Sequence, residues 1–394
     1  MLKKYMNRFN LVNASLNPVL FSLYRNYMYL RYKDTKDYSQ GEIIHEKSKK
    51  HLLYLSNSLK THSKYFQFDN SNKFKINTHE FASPIGLASG FDKNCELFVP
   101  MSYVFGLVTV GTVLKNENLG NVQKPKEGIK RLIVDSKNET IINSQGYPSQ
   151  GLDYIVDQLK KNHKNRNKKS KLILSFSGIS KSQSVDDLLT NSEEIIKATH
   201  EYVDGYEDSR SSPNTEFNKL IQTNEITSSL MSILNSHAPS KLKLLKVAPY
   251  SSIEPSNNDI SKKLKTVQKF YESGGDMVVL NNSLSVDVKK TYNISNFNNK
   301  NGGLSGNPLF PYTEKLVESV HNNFEKLPII ACGGITNGNK AWTLLNKGAS
   351  LFEIYSGITF YGLRLIIEIN NTLKTKLAND SIDTFLEKHC NKTI

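Results

Sequence analysis

From residue 80 onward the chain alternates short apolar runs with stretches whose apolar positions recur at helical spacing. Eight runs read as strands: residues 84–89, 107–113, 172–176, 202–207, 242–248, 277–281, 328–332 and 351–355. Most are near-continuous in Val, Ile and Leu, as parallel strands covered on both faces are. With helix-sized segments between them, they predict an α/β fold, a (β/α)8 TIM barrel. The unit over residues 327–356 shows the pattern best. An apolar strand ends at the turn Gly333-Gly334, Thr336-Asn337-Gly338 can cap a helix over 339–346, and Gly348 lies just past its end. The fourth run is the poorest, because Asp204, Gly205, Glu207 and Asp208 are unusual in a buried parallel strand. Ahead of the barrel, residues 41–59 read as a helix, and residues 17–32 as an aromatic, apolar one interrupted by arginines, so the two form a candidate helical hairpin.

At 394 residues with 38% hydrophobic and 10% aromatic side chains, the chain suffices for one large domain plus a small extension. The net charge of +14 raises the question of nucleic acid. Much of the excess is scattered or sits in residues 160–171, KKNHKNRNKKSK, between a helical pattern and a strand, where it reads as a solvated loop. No nucleic-acid motif accompanies it, so no such partner is expected. Cys95, Cys332 and Cys390 are few and unevenly spaced, which fits a reduced compartment, and without CxxC or HExxH spacing a metal site has no support. The first 33 residues hold no Asp or Glu but do hold Lys3, Lys4, Arg8, Arg25, Arg31 and Lys33, as mitochondrial transit peptides do. Residues 17–32 are too short and too charged to span a bilayer. They suit an amphipathic helix in the interface, with Phe21, Leu23, Tyr27 and Tyr29 as anchors, or a helix packed on the domain. The expected organisation is a targeting or membrane-interacting segment at 1–33, a helical region at 34–66 and the barrel at 67–394, with an Asn-rich flexible insertion at 293–301.

Polar residues gather where the strands end: Ser89-Gly90, Gly111-Thr112, Ser211-Ser212, Lys246, Asn281-Asn282, Gly333-Gly334 and Tyr355-Ser356. In this fold the active site lies at that rim. Gly302-Gly303-Leu304-Ser305-Gly306 and Gly333-Gly334 read as glycine turns after strands six and seven, whose N–H groups suit a phosphorylated cofactor; ordinary tight turns are the alternative. In Ser211-Ser212-Pro213-Asn214-Thr215 a hydroxyl stands on a loop stiffened by proline. Serine alone is a poor base and needs a relay, for which Thr215 is a candidate, and an acidified substrate proton. Asn143, Asn214, Asn281 and Asn282 offer donors and acceptors to a planar imide or amide. Lys93 and Lys246 could face a carboxylate or an electron-rich ring. Singly, each asparagine reads equally as a turn residue and each lysine as a surface one.

In their joint order and spacing these motifs resemble one family, the membrane-associated, quinone-linked (class 2) dihydroorotate dehydrogenases, from about Gly41 to the C-terminal helix. The carriers are Pro84-Ile85-Gly86 with Gly90-Phe91-Asp92-Lys93, Val110-Gly111-Thr112-Val113, Ile141-Ile142-Asn143 with Gly146-Tyr147, the Ser211 to Thr215 run, Lys246-Val247-Ala248-Pro249, the Gly302 to Gly306 run, and Gly333-Gly334 with Tyr355-Ser356. The stretch from Ile141 to Gly146 is especially similar to apicomplexan members. The resemblance implies FMN-dependent oxidation of dihydroorotate to orotate in pyrimidine (UMP) synthesis, with hydride passing to the flavin N5 while a base removes the C5 proton. A quinone accepts the electrons, at the mitochondrial inner membrane, with peripheral association through the N-terminal helices. Ser212 matches the catalytic base, with Thr215 beside it. Lys93, Asn143, Tyr147, Asn214, Asn281 and Asn282 match substrate-binding positions. Ala88, Ser89, Gly90, Lys93, Thr112, Asn143 and Lys246 match flavin contacts, and Ser305, Gly306, Gly333, Gly334, Tyr355 and Ser356 the phosphate site, which needs no metal. His45 and Arg131 match the quinone site near the region 34–66.

The match has departures. Ser209 and Phe176 stand where flavin-contacting asparagines are expected, Tyr147 replaces a phenylalanine, Pro148 an asparagine and Tyr250 an aspartate, while Asn282 replaces a hydroxyl residue. Residues 115–126 lack most of the family's proline and arginine pattern. Losing amides from one site weakens ligand binding unless Asn282 or water compensates, since each buried polar group left unpaired costs about 1–3 kcal/mol. A catalytically decayed or repurposed FMN-binding barrel is therefore the alternative.

Overall fold

The computed structural model describes residues 40–67, 74–76, 79–121, 130–179, 184–214, 221–292, 297–378 and 380–390. The segment 1–33 and Thr215 lie outside the described residues, as do residues 122–129 and 293–296.

Each of the eight apolar runs forms a strand of one closed parallel barrel. A hairpin of β1 (Phe74–Ile76) and β2 (His79–Phe81) leads into the first barrel strand, β3 (Ile85–Leu87). The others are β4 (Leu107–Val113), β7 (Lys171–Phe176), β8 (Gly205–Asp208), β9 (Leu242–Val247), β10 (Met277–Leu280), β13 (Ile329–Cys332) and β14 (Leu351–Ile354). They pair in that order, and β14 returns to β3 to close the cylinder. Residues such as Ile85, Val110, Leu174, Leu244, Val278 and Ile330 are fully or almost fully buried, because barrel side chains inside and helices outside cover both faces. The helix Val185–Thr199 shows how the outer layer forms. Ser184 accepts from the Asp187 N–H at 3.2 Å to cap its start, and Leu188, Ile195 and Ile196 form the buried stripe. At Gly338–Asn346 the capping side chain is Asn337, which accepts from Lys340 N–H at 2.9 Å.

Four further strands escape the apolar-run criterion. These are β5 (Leu132–Asp135), β6 (Thr140–Asn143), β11 (Leu284–Asp287) and β12 (Asn301–Gly306), joined antiparallel in the order β11-β12-β6-β5. Their insertion corrects one expectation: residues 302–306 are not a turn but strand β12, with Gly303 opposite Asn143 and Leu304 opposite Ile142. Glycine serves close packing here, since a Cβ at Gly303 would lie 2.3 Å from Ser283 Oγ. The Asn-rich segment ends in the same sheet, with Asn299 Nδ2 donating to Ser144 Oγ at 2.6 Å. Residues 160–171 are also only partly loop. Lys160 and Lys161 finish the helix Leu152–Asn162, Lys171 begins β7, and the buried Arg166 donates to Ser170 O at 2.5 Å and to Asp204 Oδ2 at 2.7 Å.

The helix expected over 41–59 breaks at Leu55 into α1 (Gln40–Tyr54) and α2 (Ser56–Thr61). Helix α1 lies against β5, close enough that a Cβ on Gly41 would meet Leu132 at 3.0 Å. Among the described residues no helix is long and apolar enough to cross a membrane.

The fourth barrel strand starts later than its sequence suggests, at Gly205, because Asp204 turns its carboxylate to the Leu172 N–H at 2.8 Å. Within the strand Tyr206 faces outward and bonds Thr199, Glu207 faces the barrel interior, and Asp208 faces outward again.

Candidate active site

The carboxyl ends of the strands and the β5-β6-β11-β12 sheet enclose one cleft with about 1100 Å³ of space between protein atoms, its mouth included. All the expected substrate and flavin positions line it except Gly306, namely Ala88, Ser89, Gly90, Lys93, Thr112, Asn143, Tyr147, Ser212, Asn214, Lys246, Asn281, Asn282, Ser305, Gly333, Gly334, Tyr355 and Ser356. Gly306 closes β12 at φ 95°, where a Cβ would fall 2.0 Å from Glu139 O, so it shapes the strand end behind Ser305.

The polar groups of the cleft are largely preset by one another. Asn214 Nδ2 donates to Asn143 Oδ1 at 2.8 Å, and Asn143 Nδ2 to Gly303 O at 3.3 Å. Asn282 Nδ2 donates to Ser211 Oγ at 3.1 Å, turning that amide away from rotation. In the orientation that satisfies both its atoms, the Asn281 amide nitrogen donates to Asn282 O at 2.9 Å and Cys332 O at 3.0 Å. Asn214 N–H donates to Ser212 Oγ at 3.3 Å. Asn214 Oδ1 is buried without a hydrogen-bond partner, an acceptor awaiting a donor from a ligand.

Opposite the amides lies a cradle of glycines and hydroxyls: Gly333 and Gly334 after β13, Ser305 in β12, and Tyr355-Ser356 after β14. Gly334 has φ 70°, and a Cβ there would stand 2.5 Å from Phe310 N, so only glycine lets the backbone pass. Glycine turns and hydroxyls gathered at one end of a cleft suit a phosphate, and the planar amides suit a flat heterocycle. The residues present therefore fit FMN.

Two lysines enter from different strand ends. Burial pushes Lys93 down to about 8, partly offset by Glu42. Lys246 is also buried, but its neighbours, Glu207 first among them, outweigh desolvation and raise it above the ordinary lysine value. Its Nζ donates to Ser89 Oγ at 3.0 Å.

The two departures at the flavin positions take different places. Ser209 lines the cleft and receives the Thr112 hydroxyl at 3.4 Å, while its carbonyl accepts from Tyr147 OH at 2.5 Å, so Tyr147 tethers one rim segment to another. Phe176 does not line the cleft. It points outward and meets Tyr206 edge-on at 6.0 Å, whereas its neighbour Ser175 faces inward to Thr112 at 3.3 Å.

His45 and Arg131 stand outside the cleft, at α1 and the start of β5. His45 meets Phe91 edge-on at 5.4 Å and Phe91 meets Tyr355 at 5.6 Å, an aromatic series from α1 to the cleft wall. Burial, with Lys93 and Lys49 nearby, holds His45 down at about 3, so its ring is neutral. Arg131 Nε donates to Glu42 Oε1 at 2.7 Å and its Nη1 to Leu119 O and Asn121 O at 2.7 and 3.0 Å. Gln145, which lines the cleft, donates to the same Glu42 oxygen at 2.8 Å.

Sequence reasoning missed Glu42, Gln145, Glu207 and Glu353 at this site. The signal was present for the last two, as acids inside the apolar runs of β8 and β14. Among the described residues no group of three or more His, Cys, Asp or Glu could hold a metal.

A family model described as dihydroorotate dehydrogenase matches residues 71–377. The dihydroorotate dehydrogenase (quinone) of Christiangramia forsetii is 30% identical over 303 residues, covering 75% of this chain and 83% of that protein. The one from Buchnera aphidicola subsp. Schizaphis graminum is 30% identical over 345 residues, covering 82% and 98%. Among solved structures, the Eimeria tenella DHODH in complex with ferulenol superposes with a TM-score of 0.70 at 23% identity, covering 87% of this chain and 94% of that one.

Proposed function

The chain belongs to the dihydroorotate dehydrogenase family, and on that premise we propose that it oxidises dihydroorotate to orotate, with FMN as its flavin and a quinone as electron acceptor, in pyrimidine (UMP) synthesis. One observation carries the reading beyond membership. Ser212, the four asparagines, both lysines and the glycine-hydroxyl cradle come from separate strand ends into a single cleft.

The ring of the substrate lies among Asn143, Asn214, Asn281 and Asn282, whose amides meet its imide edges, with Tyr147 at its border. Lys93 offers a cation to the carboxylate. Ser212 takes the C5 proton, and Thr215 is assigned as its relay. Ala88, Ser89, Gly90, Thr112 and Lys246 hold the flavin, and Ser305, Gly306, Gly333, Gly334, Tyr355 and Ser356 its phosphate. When bound, FMN supplies the two-electron acceptor that links the substrate's hydride to the quinone. The neutral His45 ring and Arg131 flank the quinone's path, and Glu42 fixes the Arg131 fork in place. The acid-free, basic first 33 residues support a mitochondrial inner-membrane location with peripheral attachment.

The test is the flavin spectrum of the purified chain before and after anaerobic dihydroorotate. Bleaching of the flavin band is expected, and its loss in Ser212→Ala at neutral pH, with flavin still bound, assigns the base. Bound FMN that stays oxidised would overturn the reading, and bleaching undiminished in Ser212→Ala would remove Ser212 from its role.

A further inference from the structure

Inside the barrel, beneath the cleft, Lys246 of β9 stands between two acids. Its Nζ lies 3.6 Å from Oε2 of Glu207 on β8 and 3.6 Å from Oε2 of Glu353 on β14. Glu207 is 0% and Glu353 1% exposed. Thr109 Oγ1 donates to Glu353 Oε1 at 2.6 Å, but Glu353 Oε2 and both oxygens of Glu207 accept no hydrogen bond. A structural ion pair is normally closer and better satisfied, since burying a charge without hydrogen bonds costs more than its partner returns.

Charge balance explains the loose geometry. With all three groups ionised the cluster carries one net negative charge in a dry interior, and one added proton makes it neutral. One lysine cannot offset two carboxylates in a dry interior, so the second negative charge is disfavoured there. Burial, followed by the opposing effects of Lys246 and Glu207, leaves the Glu353 carboxyl above the usual carboxylate range. Cys332 of β13 is the other titratable group acting on the cluster. Its thiol is pushed up to about 12 by burial and stays neutral. The turn after β3 and the strand β4 bring the hydroxyls of Ser89 and Thr109. Glu353, Lys246 and Cys332 line the cleft, whereas Glu207 lies behind them.

We propose that Glu353, set across Lys246 from Glu207, holds one exchangeable proton and takes it up when negative charge enters the cleft above Lys246. The inference rests on the flavin reading for the origin of that charge. A hydride brings two electrons and one proton, which leaves one unit of negative charge on the acceptor. One proton from water, bound at Glu353, offsets it and leaves again when the electrons pass to the quinone. The pair are charge-compensating residues, distinct from Ser212, which takes the substrate's own proton.

Two measurements on the full chain test this, with Glu353→Gln and Glu207→Gln as shape-conserving variants. First, infrared difference titration of the flavin-free protein from about pH 5 to about pH 9 reads the protonated carboxyl directly. Its band is expected in the native chain, lost in Glu353→Gln and shifted to lower pH in Glu207→Gln. Second, the midpoint potential of added FMN, poised with dithionite and dyes, is followed against pH. The native slope is expected to exceed that of Glu353→Gln by one proton per two electrons over part of that range. Absence of a titrating carboxyl band, or equal slopes in native and Glu353→Gln proteins, would overturn the proposal. Neither measurement uses dihydroorotate, so a flavin that this substrate fails to reduce counts against the function alone.

Discussion

Glu207 and Asp208 are neighbours in one strand, similarly buried, and treated in opposite ways. Inside the barrel Glu207 faces a lysine at 3.6 Å with no hydrogen bond. Outside it, Asp208 receives Arg210 Nε at 2.9 and 3.0 Å and Nη2 at 2.6 Å, a saturated fork. The same guanidinium donates to Ile221 O and, at 3.1 Å, to Thr227 Oγ1, so it ties the start of the Ser212 loop to the chain beyond it. A fully satisfied buried charge fixes geometry, whereas one without hydrogen bonds is held by its countercharge alone.

The largest effect expected from breaking this contrast is on the satisfied side. Arg210→Ala leaves Asp208 buried and unpaired and should lower stability by about 3–5 kcal/mol in urea unfolding. A loss below about 1 kcal/mol would mean that the fork is not holding the strand. Arg210→Lys keeps the charge but loses the planar fork, and is expected to cost about 1–3 kcal/mol. On the unsatisfied side Glu207→Gln removes no hydrogen bond and leaves Lys246 a carboxylate in Glu353. It should cost less stability than Arg210→Ala, because Glu353 still balances the buried Lys246, and a cost matching Arg210→Ala would erase the distinction. The smallest effect concerns His45, kept neutral by burial. Its folded value of about 3 lies below the ordinary 6.5, so the unfolded chain binds the extra proton between them. That contribution is complete above the ordinary value and is lost as pH falls from 6.5 toward 3. His45→Phe should flatten this part of a stability-pH curve, and an unchanged curve would show a charged or solvated ring.

The same contrast explains what the sequence disclosed. Barrel strands were legible because each is an apolar run covered from both sides, and Leu107–Val113 matches its expected bounds to the residue. The acidic β8 looked unlikely as a strand because its partners lie outside the run. Asp204 finds Arg166, Glu207 finds Lys246 and Asp208 finds Arg210. The β5-β6-β11-β12 sheet was hidden for a different reason. Its glycines and asparagines carry turn propensities, and pairing to β6 overrides them in β12. The cleft residues could be named from motifs, but the hydrogen bond from Asn214 to Asn143 joins residues that no local pattern connects. The outward turn of Phe176 depends on strand alternation, which one residue of register would reverse.

The closure of β14 onto β3 also sets an order of events during synthesis. Until residues 351–354 have left the ribosome, the sheet is an open ribbon and Lys246 has no Glu353 beside it. The late strand then brings that acid, Tyr355 and Ser356 together, completing the floor and one wall of the cleft in a single pairing step. Such long-range closure is slow relative to local helix formation. Before that pairing β3 has an open edge, and the cleft lacks the wall that β14 and Tyr355-Ser356 supply.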